Sequence, residues 1–139
     1  MNSWVLDIDT FSLFQDGNPK VVERCGAVAR GPLAVTIISV EEQFLGWHTR
    51  RLRCKPTEEL ETVYQRFTAL ATFVGQVRVL PFTAVAIARF ASLKALSLNV
   101  GKNDLRIAAI VMEAGDVVVT RNTRDFGRIP QLKVEDWTV

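Results

Sequence analysis

At 139 residues, 48% hydrophobic and 23% charged, the chain has the size and balance of one soluble domain able to bury a core. Its net charge of +2 is too small to mark a nucleic-acid binder by itself, and no apolar run approaches the roughly 20 residues that cross a bilayer. One histidine, His48, and two cysteines without C-x-x-C spacing, Cys25 and Cys54, exclude paired-histidine and Cys/His zinc chemistry and fit free thiols in a reducing cytosol.

The N-terminal Met-Asn-Ser-Trp-Val-Leu-Asp lacks the basic-then-apolar layout of a secretory signal. Trp4 to Ile8 reads as a first strand with Asp7 at its C-terminal end. Asp9 and Thr10 start a short helix, which Asp16-Gly-Asn-Pro ends. Pro19 opens a second helix to about Arg30, broken by Gly31-Pro32. Leu33 to Ile38, β-branched and apolar, is a second buried strand. Ser39 and Glu42 form the S-x-x-E pattern of a capping box, which predicts a helix from Val40 to about Leu52. That helix carries Phe44, Leu45 and Trp47, then turns basic through Arg50, Arg51, Arg53 and Lys55.

Beyond Pro56-Thr57 the spacing of Tyr64, Phe67, Leu70, Ala71 and Val74 predicts a helix from Glu58 to about Gln76. The two helices make a hairpin that offers a partner surface. Arg78 to Leu80 is a third strand, ended by Pro81, and Thr83 to Leu98 is an Ala-rich helix suited to lying flat on a sheet. Asp104 opens a helix whose apolar face is Leu105, Ile107, Ala108, Val111 and Met112, and Gly115 closes it. Val117 to Val119 is a short strand, Thr120 to Asp125 a polar turn, and Leu132 to Val134 a last edge strand. Buried strands separated by helices are the grammar of a parallel α/β sheet, here of four to five strands, with ligands bound beyond the strands' carboxyl ends.

Four carboxylates fall near element ends that a parallel sheet would gather on one face: Asp7, Glu42, Asp104 and Asp125. Acids packed together repel unless some protonate or a cation joins them, and an all-oxygen set suits Mg²⁺ or Mn²⁺. Such an ion can supply a hydroxide nucleophile and stabilise the charge on a phosphate under attack. Plainer roles stay open for each residue. Asp9 and Asp104 could be N-caps, Glu42 only the partner of Ser39, and Asp125 a surface partner of Arg121 or Arg128. The run Arg50 to Lys55 could be a solvated helix end, and Tyr64 and Phe67 packing residues. Asp7 is hardest to assign a plain role, and Asp116, preceding its strand, falls at the opposite end of the sheet.

These residues resemble a known family. V-L-D-I-D-T at Val5–Thr10, I-S-V-E-E-Q-F-L-G-W at Ile38–Trp47 and V-L-P-F at Val79–Phe82 match PIN-domain proteins of the VapC type, toxins of bacterial toxin–antitoxin pairs. So do N-D-L-R-I-A-A-I at Asn103–Ile110, T-R-N-T-R-D-F at Thr120–Phe126 and V-E-D-W at Val134–Trp137. The match spans nearly all of residues 1–139. It implies a three-layer α/β/α PIN-like domain, Mg²⁺-dependent endoribonuclease activity, a homodimer, and a VapB-type antitoxin lying across the active-site groove. By position it makes Asp7, Glu42, Asp104 and Asp125 the metal-binding acids. Glu42 is preferred to Glu41 for standing four residues before Gly46. Asp9 and Asn122 become auxiliary groups, and Arg50, Arg51, Arg53 and Lys55 candidate contacts for RNA or antitoxin. The chain departs from the family at Ile8, Thr10, Leu45 and Thr83, where Thr, His, Arg and Asp are common, and none of these removes an acid.

Rival classes fare worse. A haloacid-dehalogenase phosphatase expects Thr where Phe11 stands, and a receiver domain needs an acidic end to the third strand, which Leu80-Pro81 lacks. A non-catalytic PIN-like interaction module and a housekeeping RNA-processing nuclease remain as alternatives, separable by metal titration and by the neighbouring reading frame.

Overall fold

The computed structural model describes residues 3–28 and 32–139. β1 (Trp4–Leu6) leads into α1 (Ile8–Gln15) and α2 (Pro19–Ala27), followed by β2 (Leu33–Thr36). α3 (Ile37–Arg53) and α4 (Glu58–Gln76) form the hairpin, and β3 (Arg78–Leu80) returns to the sheet. Then come α5 (Ala84–Ala95), α6 (Lys102–Ala114), β4 (Val117–Val119), the single-turn α7 (Thr123–Phe126) and β5 (Lys133–Glu135).

The five strands are all parallel, in the order β3-β2-β1-β4-β5. Alternation along the strands divides the core in two. Val5, Ala34 and Val118 face one cluster with Ile107, Ala108 and Val111 of α6 and Ala86 and Leu93 of α5. Leu6, Val35 and Val119 face another with Phe11, Val21, Val40, Leu70 and Trp137. The result is a three-layer α/β/α arrangement. The strand order reverses direction at β1, with β2 on one side and β4 on the other, so the crevice beyond the carboxyl ends of β1 and β4 is the switch point where such sheets bind ligands.

Several boundaries differ from those the sequence predicts, the first two because a residue expected within a strand caps the next helix instead. β1 stops at Leu6 because Asp7 caps α1, its side chain accepting from Thr10 N, so Ile8 is helical and Asp9 lies inside the first turn. β2 stops at Thr36 because Thr36 caps α3 and accepts from Ser39 N at 3.2 Å. The predicted Ser39–Glu42 capping box is therefore absent, and α3 starts three residues earlier. α2 ends at Ala27, and the expected break at Gly31 lies outside the described residues. α5 packs chiefly on α6 rather than flat on the sheet, leaving Val85, Ile87 and Leu96 exposed. Asp104 is third in α6, whose cap is Gly101, and Gly115 closes that helix with φ 70°. The predicted turn after β4 contains α7, capped by Asn122, and β5 lies one residue later than expected. Met112 is half-buried at the margin of the α6 face, and Tyr64 is largely exposed, touching Phe67 rather than filling the core. Cys25 and Cys54 are free thiols, and burial pushes Cys25 up to about 11, away from reactivity at neutral pH.

Candidate active site

Asp7 is built into the switch point. It is 4% exposed, and the end of β1 and the start of α1 fix its carboxylate. Oδ1 accepts from Thr10 N at 2.8 Å, and Oδ2 accepts from the Thr120 hydroxyl at 2.6 Å across the crevice from β4. Thr120 Oγ1 in turn accepts from Asn122 N at 2.9 Å. Each carboxylate oxygen has a second acceptor direction left over. Burial pushes the Asp7 carboxyl above its ordinary range, the bonds from Thr120 and Thr10 pull it back, and the charge of Asp9 adds to the rise.

Asp104 reaches the same place from the first turn of α6. It is half-buried, and its carboxyl is pushed up to about 6, first by burial and then by the charges of Asp7 and Asp125. Among the described residues no hydrogen bond or ion pair reaches that carboxylate. Asp125, in α7, accepts from Asn122 Nδ2 at 3.0 Å and from Arg128 Nη1 at 3.1 Å. Asp7, Asp104 and Asp125 are thus in electrostatic range of one another. Asp7, Asp9, Ser12, Asp104, Arg121 and Asn122 line an open cleft of about 550 Å³.

Glu42 is near this group but turned aside. It sits in the second turn of α3 and takes the Asn103 amide, Nδ2 donating to Oε1. Arg106 Nη1 donates to Asn103 Oδ1 at 2.6 Å and lies over the Phe90 ring at 5.0 Å. With Oδ1 occupied by a guanidinium, the Asn103 amide can only present its N–H side to Glu42. Asp9 pairs with Arg121 rather than with the other acids. Among the described residues no three of His, Cys, Asp or Glu stand ready at metal-holding spacing.

The basic run lies elsewhere. Arg50, Arg51 and Arg53 form the last turn of α3, and Lys55 follows in the joint. Arg50 and Arg53 line a separate cavity of about 620 Å³ between α3 and α4, and Arg50 and Arg66 lie over the Trp47 ring at 4.9 and 5.3 Å. That cavity shares no lining residue with the acidic cleft. Sequence reasoning missed three contributors to the cleft region: Thr120, Asn103 and Arg121 as the partner of Asp9. The one available signal was that Thr120 and Arg121 immediately follow a buried strand.

No family model matches the chain. Among curated proteins it is 28% identical over 111 residues to ribonuclease VapC2 of Haemophilus influenzae, covering 77% of this chain and 76% of that protein. It is 23% identical to the tRNA(fMet)-specific endonuclease VapC of Shigella flexneri over 99% of this chain and all of that one. Among solved structures, a chain of the DNA-bound VapBC complex from Salmonella typhimurium superposes with a TM-score of 0.82 at 25% identity, covering 99% of each chain. The chain is VapC-like in sequence and in fold. Its five-stranded α/β architecture is the one expected from the PIN-domain resemblance.

Proposed function

We propose that this VapC-like chain is a metal-dependent endoribonuclease, the toxin of a VapBC-type toxin–antitoxin pair, with residues 1–139 acting as one catalytic domain. Both curated relatives are named as nucleases acting on RNA. The observation that carries the site assignment is Asp104. It is half-buried beside two other carboxylates and has no partner of its own among the described residues. A carboxylate is left so where a cation completes its surroundings.

The donor chemistry fits a hard divalent ion, since every candidate is an oxygen. Mg²⁺ keeps several waters and commonly takes one or two carboxylates directly, so three acids at ligating spacing are not required. Asp7 and Asp104 are assigned as the direct holders, and Asp125 and Glu42 as acids acting through water or after turning from Asn122 and Asn103. When bound, the ion lowers the pKa of its water and neutralises charge growing on the phosphate. Mg²⁺ is the assigned occupant, with Mn²⁺ as substitute.

The chain's own residues do the positioning. Thr120 and the Thr10 amide hold both Asp7 oxygens in place and keep the carboxyl nearer its ionised state. Asn122 caps α7 and holds Asp125 toward Asp104. The α3–α4 hairpin, with Arg50, Arg51, Arg53 and Lys55, is assigned to antitoxin or RNA contact outside the cleft. A cytosolic homodimer is the assembly that accompanies this function. No described helix is long and apolar enough to cross a membrane.

RNA cleavage by the purified chain free of antitoxin, with Mg²⁺, with Mn²⁺ and with chelator, tests this beside Asp104→Asn. Metal-dependent cleavage that disappears in the variant is the expected result. Cleavage indifferent to metal and variant, or a folded chain that neither cleaves nor binds the ions, would sink it, the second outcome favouring an interaction module.

A further inference from the structure

Arg121 is the only cationic residue among the described residues lining the acidic cleft. It follows Thr120 at the end of β4, and its guanidinium reaches Asp9 in α1 with both prongs. Nε donates to Oδ2 at 2.7 Å and Nη2 to Oδ1 at 3.1 Å. The hydrogen bonds and charge of Asp9, then the charges of Asp136 and Asp7, raise its already high pKa, so it is a permanent cation among acids. The side chains of Arg121 and Asp9 are 53% and 47% exposed, so water reaches both partners and the pair exchanges readily.

A polyanion entering this cleft meets Asp7, Asp9 and Asp104 on its walls. Repulsion from those carboxylates has to be offset by a cation inside the cleft as well as by any bound metal. The planar fork that now takes two carboxylate oxygens fits two oxygens of a phosphodiester equally well. Of the basic run at the end of α3, Arg50 and Arg53 line a different cavity, which shares no lining residue with this cleft.

We propose that Arg121 is a substrate-binding residue that leaves Asp9 to grip a backbone phosphate of the RNA strand, with Asp9 as its resting counter-ion. This rests on the ribonuclease reading and deepens it. It also gives Asp9 a role opposite to that of a metal-holding acid. Removing the Asp9 charge should strengthen RNA binding, because Arg121 is then free and one repulsive group is gone.

The test is equilibrium binding of fluorescein-labelled bulk transfer RNA to the full chain in Mg²⁺ over a series of salt concentrations. Every variant carries Asp104→Asn to prevent cleavage, and melting temperatures are recorded alongside. Arg121→Ala should weaken binding about five- to tenfold and reduce the salt slope by about one, and Arg121→Lys should recover part of the loss. Asp9→Asn should tighten binding, and adding Arg121→Ala to it should remove most of that gain, leaving only the part that comes from the lost Asp9 charge. An Arg121→Ala chain with unchanged affinity and salt slope but a lower melting temperature would make the pair a structural strap and overturn the proposal. Weaker binding by Asp9→Asn would overturn it as well. If neither this reference chain nor the chain retaining Asp104, tested with Ca²⁺ in place of Mg²⁺, binds RNA, the ribonuclease reading fails and the proposal falls with it, a result distinct from the other two.

Discussion

Asp7 and Asp116 are nearly the same local structure at opposite ends of neighbouring strands. They are 4% and 5% exposed, and each accepts at Oδ1 from a backbone N–H at 2.8 Å, that of Thr10 for Asp7 and of Ser3 for Asp116. Their second oxygens part company. Oδ2 of Asp7 takes the Thr120 hydroxyl, whereas Oδ2 of Asp116 has no hydrogen-bond partner among the described residues. The surroundings differ more. Asp7 faces the charges of Asp9 and Asp104, while Asp116 borders a small cavity of about 160 Å³ that Arg89 and Lys133 also line. Burial of an aspartate and a backbone bond are therefore not signs of chemistry. What separates the two ends is that α6 and α7 bring Asp104 and Asp125 into electrostatic range of Asp7, whereas the described residues lining the cavity beside Asp116 include two cations and no second carboxylate.

That contrast breaks most readily at Asp104. Asp104→Asn should lower RNA cleavage at least about a hundredfold, because it removes the acid that has only a cation to complete it. It should also stabilise the metal-free fold at pH 7. The folded Asp104 carboxyl titrates at about 6, above its ordinary unfolded value near 4, so the folded chain holds more protons in between. Stability contributed by this residue is present below about pH 4 and falls as pH rises through 6. After discounting for solvent, Asn at this position should gain on the order of 1 kcal/mol at pH 7, visible as a rise of a few degrees in calorimetry. A variant that loses activity and stability together would point to a damaged fold instead.

Smaller effects sharpen the account. Thr120→Val removes the hydroxyl between Asp7 and Asn122, and should weaken Mn²⁺ affinity about tenfold by titration calorimetry. Asn103→Ala frees Glu42 from its amide partner and should change Mn²⁺ affinity only a few-fold, with no further change once Glu42→Gln is also present. Independent, additive effects of that pair would disconnect Asn103 from Glu42. Asp116→Ala should leave cleavage per folded molecule unchanged while lowering stability by about 1–3 kcal/mol in urea, because the Ser3 amide loses its acceptor.

Much of this was legible in the sequence, for reasons visible in particular residues. The limits of α4, β3 and β4 follow from helical spacing, from Pro81 and from Asp116 and Thr120 flanking three valines. The acids Asp7, Asp104 and Asp125 converge because parallel strands bring carboxyl ends to one face, which a sequence can express. Caps were harder. Thr36 and Ser39 are both good cap residues three apart, and only the chain's path decides that Thr36 takes the role. Ile8 looked like strand because it is apolar, and Asp7 turned it into helix. α7 is too short for periodicity to reveal. Pairings between distant side chains left no trace at all: Glu42 with Asn103, Asp9 with Arg121, and Arg66 with Asp16 on the hairpin.

The central claim is that the acids at the carboxyl end of the sheet, and not buried aspartates in general, make a cation site. Mn²⁺ titration of the full chain at pH 7, beside Asp104→Asn and Asp116→Asn, tests it most directly. The account predicts a saturable site that Asp104→Asn abolishes and Asp116→Asn leaves at full affinity. Binding that survives Asp104→Asn, or that fails in Asp116→Asn while the fold persists, would contradict it.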